Sequence, residues 1–496
     1  MSYYLYIILA YLLVLTGFNF YRSKRIKTQE DFMVAGRSLK TSVMVFTLIC
    51  TWIGSGTFIA GAEFASKAGF SALWLAAGAW VGIIFIYFLA AKVRTFGQYT
   101  IGDILEERFG PAARIIGAIA LIIAFTVIVS YQFVAGGFIL NVVTDGAIPD
   151  SVGTIISALF VILFTALGGM VAVAYTDLPN GIIIVLACLL SVPFVYLAAG
   201  GFPQATQTLD PGYFAAVNEQ FGANPGLKVG GYFLSTLLLL MGVQSMYQKF
   251  YSARTPKDAK KAVVLWTIGT IFVETVVVVI AVFAYSKFHN QIDLSIPKEG
   301  GKVVLMAARS LVPAPVGVLL LGAACAVVIS TGMNYLLSPT TNIMRDIYQR
   351  FIRKDASQAT MVALQKVFVV VLGVLAFLLA MRLTSVLQTA FFAYTIYGVA
   401  ITPALIAALT WKRATRAGGL AAIIAGTTVC IFFKVMAEVL PAAKAPEGDP
   451  WGIPIIYPAI IASLLSLVVV SLLTRKPKPE ELQKFFPEKT KAQSSR

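Results

Sequence analysis

The sequence contains few of the groups on which enzymes and metal sites depend. Charged residues make up only 12% of its 496 residues, and the single histidine is His289. Catalysis by histidine and a histidine-based metal site therefore have almost no groups to use. No cluster of nucleophile and base accompanies the apolar segments, so we expect neither an enzyme nor a bound cofactor. The four cysteines lie in apolar segments, which indicates buried thiols and not a disulfide framework. They are Cys50, Cys188, Cys325 and Cys430.

Long polar segments are also absent, and apolar runs occupy the chain instead. Hydrophobic residues make up 58% of the sequence, and its mean hydropathy is +0.83. Apolar runs of about 20 residues, the length that crosses a bilayer, recur from end to end. The sequence therefore predicts an all-α integral membrane protein with about 13 spans and the lipid bilayer as its surroundings. The spans are 4–20, 42–66, 71–92, 113–141, 151–169, 178–199, 231–250, 262–287, 313–340, 361–382, 386–411, 417–440 and 453–474.

The net charge is +16, and the distribution of the basic residues along the chain agrees with the predicted spans. Alternating spans place 30 of the 39 Lys and Arg residues on one side of the membrane. Cytoplasmic loops carry such an excess, so we expect the N-terminus outside and the C-terminus in the cytoplasm of a plasma or inner membrane protein. The basic residues are scattered over many loops and form no single patch, which argues against nucleic acid as a partner.

Two membrane segments carry signs of an interrupted helix. The first, TWIGSGTF (51–58), has Gly54-Ser55-Gly56 in the middle of an apolar run. The second, LSTLLLLMGVQSMYQKFY (234–251), places Gly242 and Gln244 in otherwise apolar sequence. Transporters unwind helices at mid-membrane to expose carbonyls to an ion, although close helix packing also explains glycines in membrane helices.

The two interruptions lie five spans apart, which fits two inverted five-helix repeats with two discontinuous helices. The chain would then be a single transporter domain. An extra helix at 4–20 precedes the first repeat, 42–199, and the second repeat is 231–411. Two helices at 417–474 and a cytoplasmic tail at 475–496 would follow.

Asp177 is an isolated charge in the segment GGMVAVAYTDLPNG (168–181). It is the only charged residue between Asp150 and Asp210. An acidic group near a helix start is stabilised by the helix dipole. An ionisable group at membrane depth more often marks an ion or substrate path, which is the interpretation that we favour.

Neighbouring hydroxyls mark a third segment, 323–348. Ser330 and Thr331 lie side by side, and Asn334 follows one turn later. The pair could supply two neutral oxygens to Na⁺. Alternatively, each hydroxyl bonds to the carbonyl four residues earlier in its own helix, as is common in membrane helices.

These segments together resemble the sodium:solute symporter family over nearly the whole chain. The matching stretches are EDFMVAGRSL (30–39), TWIGSGTF (51–58), GGMVAVAYTD (168–177), VISTGMN (328–334) and ITPALIAALTWKRATRAGG (401–419). The resemblance implies the inverted-repeat fold and Na⁺ as the co-transported ion. By family position, the sodium ligands would be the carbonyls of Cys50, Ile53 and Val327 and the hydroxyls of Ser330 and Thr331. Gly54 through Gly56 would let the helix unwind so that carbonyls turn toward the ion.

Two departures from the family pattern affect the ions. Some members bind a second sodium with an Asp at the position of Asp177 and with further hydroxyls after the Ser pair. Here those later positions are Met333 and Asn334, so a second sodium is not expected, and Asp177 is predicted to line the ion path. Trp52 occupies a position that is polar or acidic in several relatives.

The family positions also suggest a substrate site. They are Thr57, Phe58, Gln244 and Ser245, with Tyr394 and Tyr397 nearby. Choline and proline carriers place aromatic rings on the second broken helix, where this chain has Thr236, Leu240 and Val243. A predicted pocket without an unpaired Lys or Arg suggests a small neutral or zwitterionic solute.

The expected function is Na⁺-coupled import of such a solute by alternating access, with no obligatory protein partner implied. A proton-coupled carrier or a solute sensor of the same fold remains an alternative. A channel is a weaker one, because the sequence has no filter loop and no charged voltage-sensor helix.

Overall fold

A computed structural model describes residues 3–23, 28–296 and 298–486, and these residues are predominantly helical. The α-helices are α1 Tyr3–Ser23, α2 Gln29–Val34, α3 Thr41–Trp52, α4 Gly61–Ala68, α5 Leu73–Phe96, α6 Ile101–Phe109, α7 Pro111–Val143, α8 Asp150–Ala198, α9 Gly201–Thr208, α10 Pro225–Gly242, α11 Gln244–Ser252, α12 Pro256–Phe288, α13 Val303–Ser310, α14 Ala314–Asn342, α15 Gln358–Ala380, α16 Val386–Thr410, α17 Arg416–Val439, α18 Ile456–Leu473 and α19 Pro479–Leu482. Two π-helical segments are Gly56–Ala60 and Ile343–Ile352.

The predicted all-α membrane architecture is confirmed. Twelve helical stretches of the described chain are long and apolar enough to cross a membrane. The sequence predicts 13 spans, and the two counts differ at the first interruption. There α3 has only 12 residues, and the chain runs from Gly56 through α4 to Phe96 as one long helical stretch.

The helices that carry the predicted sites lie at the centre of the bundle. The buried fraction of residues was compared over the most apolar stretch of each helix. It is 89% for α16 and 78% for α14 with the π-helical segment that follows it, but only 22% for α1 and for α17. The α14 helix packs against α7, α8 and α3, and α12 packs against α3, α5 and α8. Both helices therefore reach the first interruption.

The helix α8 differs from the two separate spans predicted for this region. It runs without a loop through the predicted connection at 168–181 and is kinked at Gly169, whose φ is 52°. A side chain there would be strained by that φ, and its Cβ would lie 2.8 Å from the Phe32 ring, so glycine alone makes the bend. Asp177 consequently lies about two turns beyond the bend and not at a helix start.

The basic tail is partly docked on the bundle. Phe485 is 1% exposed, and its ring lies 4.8 Å from that of Phe96. Lys484 pairs with Glu107, and Arg416 pairs with Glu481 at 2.9 Å. Phe485 therefore packs against α5. Residues 487–496, and residues 24–27 of the basic loop at 20–40, lie outside the described residues.

Candidate functional site: a sodium site and a central cavity

The first predicted interruption is present and lies between Trp52 and Gly56. Ile53 is extended, with φ −70° and ψ 96°. Helical bonding resumes when the amides of Thr57 and Phe58 donate to the carbonyl of Gly54, at 2.9 and 3.0 Å. The carbonyls that precede the interruption therefore face groups outside their own helix.

Those carbonyls meet the two hydroxyls of α14. The Thr331 hydroxyl donates to the carbonyl of Cys50 at 3.0 Å and to that of Ile53 at 3.3 Å. The Ser330 hydroxyl lies 3.3 Å from the same Cys50 carbonyl. Four of the five predicted sodium oxygens are thus neighbours. The fifth residue, Val327, is buried one turn before Thr331.

The bonds of these hydroxyls run between helices. Their recorded acceptors lie on α3, at the interruption and on α8, and not one turn back in α14. A cluster of buried neutral oxygens around one point is the environment that a hard cation requires. The hydroxyls therefore do not follow the alternative of bonding within their own helix, and Na⁺ binding by them stays a prediction.

The glycines of the first interruption are needed for close approach. A Cβ on Gly54 would lie 2.7 Å from Cγ2 of Thr331, and one on Gly56 would overlap the Tyr394 hydroxyl. Ser55 between them donates both its amide, at 3.1 Å, and its hydroxyl, at 2.5 Å, to the Gln132 side-chain oxygen. The glutamine of α7 thereby replaces a helical partner that the broken helix lacks.

Asp177 lies directly beside the oxygen cluster and is fully buried. Its carboxylate accepts hydrogen bonds from Thr47 at 2.5 Å and from the Ser330 hydroxyl. The Asn334 amide donates to it at 3.4 Å. Ser330 therefore contacts both the Cys50 carbonyl and the carboxylate. A role in the ion path stays a prediction, but helix capping does not describe this position.

Lys249 is a functional candidate that the sequence reasoning missed. It lies in α11 and is fully buried. Its ammonium contacts the Asn334 side-chain oxygen and lies 3.4 Å from the Met170 sulfur. Asn334 accepts from this ammonium and donates to Asp177, so one amide joins the two buried charges. The sequence feature that could have identified Lys249 is its position near Gln244 and Gln248 in the second interrupted segment.

The second interruption lies at Val243, whose φ of −68° and ψ of 119° separate α10 from α11. The amide of Gln244 donates to the Tyr397 hydroxyl at 2.9 Å, which donates to the Gly242 carbonyl at 2.8 Å. The Gln244 side-chain oxygen accepts from the Ile101 amide at 2.6 Å. The polar groups of Gln244 and Tyr397 are therefore used to close this interruption and to hold α6.

The first interruption also borders a small central cavity. Thr57 and Tyr394 line it, together with Trp52, Thr236 and Glu274. The other four predicted substrate residues, Phe58, Gln244, Ser245 and Tyr397, are buried but do not line it. The cavity volume is about 20 Å³, which is room for about one water molecule. A solute can bind there only when the surrounding helices separate.

Glu274 is the second residue that the sequence reasoning missed. It belongs to α12 and is 5% exposed. The indole N–H groups of Trp52 and Trp80 donate to its two carboxylate oxygens, at 2.9 and 2.7 Å. Glu274 is the only charged residue in the run 262–286, the same isolation that singled out Asp177.

Two interrupted helices, carbonyls freed beside a hydroxyl pair and a cavity at the same interruption define a secondary transporter. The sequence pattern of the sodium:solute symporter family matches residues 32–426. The chain belongs to this family, and the predicted resemblance is confirmed. It is therefore a multi-pass membrane protein and a Na⁺-coupled symporter of the kind that the family comprises.

Characterised relatives match the chain along most of its length. The osmoregulated proline transporter OpuE of Bacillus subtilis (strain 168) is 27% identical over 489 residues, which cover 94% of each chain. The high affinity choline transporter 1 of Homo sapiens is 26% identical over 413 residues, which cover 80% of this chain and 70% of the relative. The outward-open structure of a Na⁺-coupled sialic acid symporter superposes with a TM-score of 0.74 at 15% identity, covering 96% and 98%. That structure supports the fold of inverted repeats.

Proposed function

We propose that the protein imports a small neutral or zwitterionic organic solute into the cell together with Na⁺. The two five-helix repeats, 42–199 and 231–411, would alternate access to the central cavity across the cell membrane, with the N-terminus outside and the C-terminus in the cytoplasm. The observation that supports this proposal most directly is the contact of the Thr331 hydroxyl with the carbonyls of both Cys50 and Ile53. Relatives named as proline and choline transporters support an organic solute.

The sodium ligands in this proposal are Cys50, Ile53, Val327, Ser330 and Thr331. When Na⁺ enters, the two hydroxyls would turn their oxygens from the carbonyls to the ion. The ion would then hold α14 against the interruption through charge–dipole contacts instead of single hydrogen bonds. Closing this seam fixes the segment that also borders the solute cavity. Bound Na⁺ would therefore favour solute binding, as coupling requires.

One sodium ion per cycle is the stoichiometry that the contacts favour. Asp177 is the carboxylate beside which a second cation would bind. Its charge is already balanced by Lys249 through the bridging amide of Asn334. A buried carboxylate with a fixed ammonium nearby has less to gain from another cation. Asp177 would instead guide the single ion along its path.

The test is uptake into vesicles that contain the purified protein. Labelled L-proline and choline serve as probes, with an inward Na⁺ gradient and with K⁺ replacing Na⁺. We expect uptake that requires the Na⁺ gradient and moves one positive charge inward with each zwitterion. Equal uptake without a Na⁺ gradient would reject sodium coupling, and uptake that follows a proton gradient alone would favour the proton-coupled carrier. Saturable binding of a probe without any transport would favour a solute sensor.

A further inference from the structure

Glu274 is a buried acid without a counter-charge in direct contact. Among the described residues, no Lys, Arg or His nitrogen lies within 4 Å of its carboxylate. Two indole N–H groups donate to it, and neither carries a positive charge. Burying an unpaired carboxylate costs several kcal/mol, and ionisable groups inside a membrane mark substrate or ion paths.

The carboxylate still has room for a further donor. An ionised carboxylate offers about four acceptor positions. Trp52 and Trp80 use one on each oxygen, and the Thr57 hydroxyl bonds to a third. Glu274 also lines the cavity at the first interruption, together with Tyr394. Its remaining acceptor position is therefore available to a molecule in the cavity.

The walls of the cavity favour an organic cation over a bare metal ion. The rings of Trp52 and Tyr394 both line the cavity and contact each other with their centroids 6.4 Å apart, and aromatic faces attract ammonium groups. A metal ion would need several more oxygens. The hydroxyls among the lining residues belong to Thr57, Thr236 and Tyr394, and that of Thr236 bonds to the carbonyl of Tyr232 in its own helix at 2.9 Å.

We infer that Glu274 is the anionic end of the solute site and that the transported solute carries a positively charged nitrogen. This inference rests on the proposed transport function and revises its solute class. It retains zwitterions and admits organic cations, but it excludes uncharged solutes such as sugars. The nitrogen would sit between the carboxylate and the rings of Trp52 and Tyr394. Trp80 donates to the other carboxylate oxygen and does not line the cavity.

The experiment measures thermal stabilisation of the purified protein by a panel of solutes in Na⁺ and in K⁺. The panel contains L-proline, choline, glycine betaine, D-glucose and pantothenate. A molecule that binds the folded state raises the melting temperature by mass action. We expect stabilisation by at least one of the first three solutes and not by the sugar or the anion. Stabilisation by glucose or pantothenate alone, or by none of the nitrogen cations, would overturn the inference.

Two variants separate a binding role from a structural one. Glu274→Gln removes the charge and also loses one of the two indole bonds. Trp80→Phe loses an indole bond but keeps the charge, and therefore serves as the matched control. We expect Glu274→Gln to weaken solute binding by about 30-fold or more, whereas Trp80→Phe stays within about 5-fold. Equal losses in both variants would make Glu274 a structural anchor for the tryptophans.

Sodium titration of the same variants distinguishes this inference from the proposed function. Na⁺ alone should stabilise Glu274→Gln as it stabilises the unaltered protein, because Thr331 and its carbonyls are untouched. If solute binding survives in Glu274→Gln while Na⁺ coupling persists, only the inference fails. If Na⁺ has no effect on any variant, the sodium-coupled function fails. A shift in the Na⁺ requirement of Glu274→Gln alone would assign the carboxylate to the ion and overturn its role in solute binding.

Discussion

Replacement of Thr331 by valine tests the sodium site at its most connected oxygen. Valine keeps the shape of threonine and the packing against Gly54, but it removes the hydroxyl that meets the carbonyls of Cys50 and Ile53. Hydrogen bonds to charged groups contribute about 1.5–3 kcal/mol. By analogy, we expect Thr331→Val to raise the Na⁺ concentration needed for half-maximal effect by about 10- to 150-fold. Thr331→Ser keeps an oxygen and should cause only a small shift.

The assay is the rise in melting temperature with Na⁺, at constant ionic strength maintained with K⁺. Thr340→Val is the matched control, since Thr340 is buried in the same helix and donates to the Leu337 carbonyl at 2.7 Å. It should lose stability without changing the Na⁺ titration. Linkage also requires the solute affinity of Thr331→Val to fall when Na⁺ is limiting. If Thr331→Val and Thr340→Val titrate alike, Thr331 does not bind the ion.

Three further predictions concern the residues around this site. Asp177→Asn should slow Na⁺ release on the inner side, measured as Na⁺ exchange in vesicles, and should also lower stability because the buried Lys249 ammonium loses its counter-charge; normal Na⁺ exchange in the folded protein would limit Asp177 to a structural role. Lys249→Met should destabilise the protein by about 3 kcal/mol through the uncompensated carboxylate, and addition of Asp177→Asn should restore most of the loss; independent effects in unfolding measurements would show that the two charges are not coupled. Gly56→Ala should lower the free energy of unfolding by about 1–3 kcal/mol, because the new methyl group overlaps the Tyr394 hydroxyl. In a double-mutant cycle, Tyr394→Phe should remove most of this loss. If it does not, residues 56 and 394 are not in contact in the membrane.

Local sequence was sufficient to predict the interruptions and the hydroxyl pair of the oxygen cluster. Gly54 and Gly242 stand in apolar runs where each weakens a helix, and Ser330 and Thr331 are a polar pair within one turn. These signals require no knowledge of the neighbouring helices. The family resemblance supplied the carbonyl partners, Cys50 and Ile53.

Residues whose role depends on a distant partner could not be assigned in this way. Gln244 was predicted to face the solute, but its amide reaches the Tyr397 hydroxyl and its side chain reaches Ile101. Lys249 is followed closely by other basic residues, so its sequence position does not distinguish it from a loop residue. The turn of α11 buries it beside Asn334, and sequence alone does not reveal which face of a short helix meets another helix.

In the proposed mechanism, the sodium site and the solute site share neighbouring residues at the end of α3. The Trp52 indole donates to Glu274 in the cavity at 2.9 Å, and the carbonyl of the next residue, Ile53, lies 3.3 Å from the Thr331 hydroxyl. A cation among the proposed sodium ligands would fix the orientation of the Ile53 carbonyl and, with it, the position of the adjacent Trp52. A solute held against Trp52 would restrict the same segment from the other side. Since each occupant would contribute part of the entropy cost of ordering this segment, each would bind better in the presence of the other.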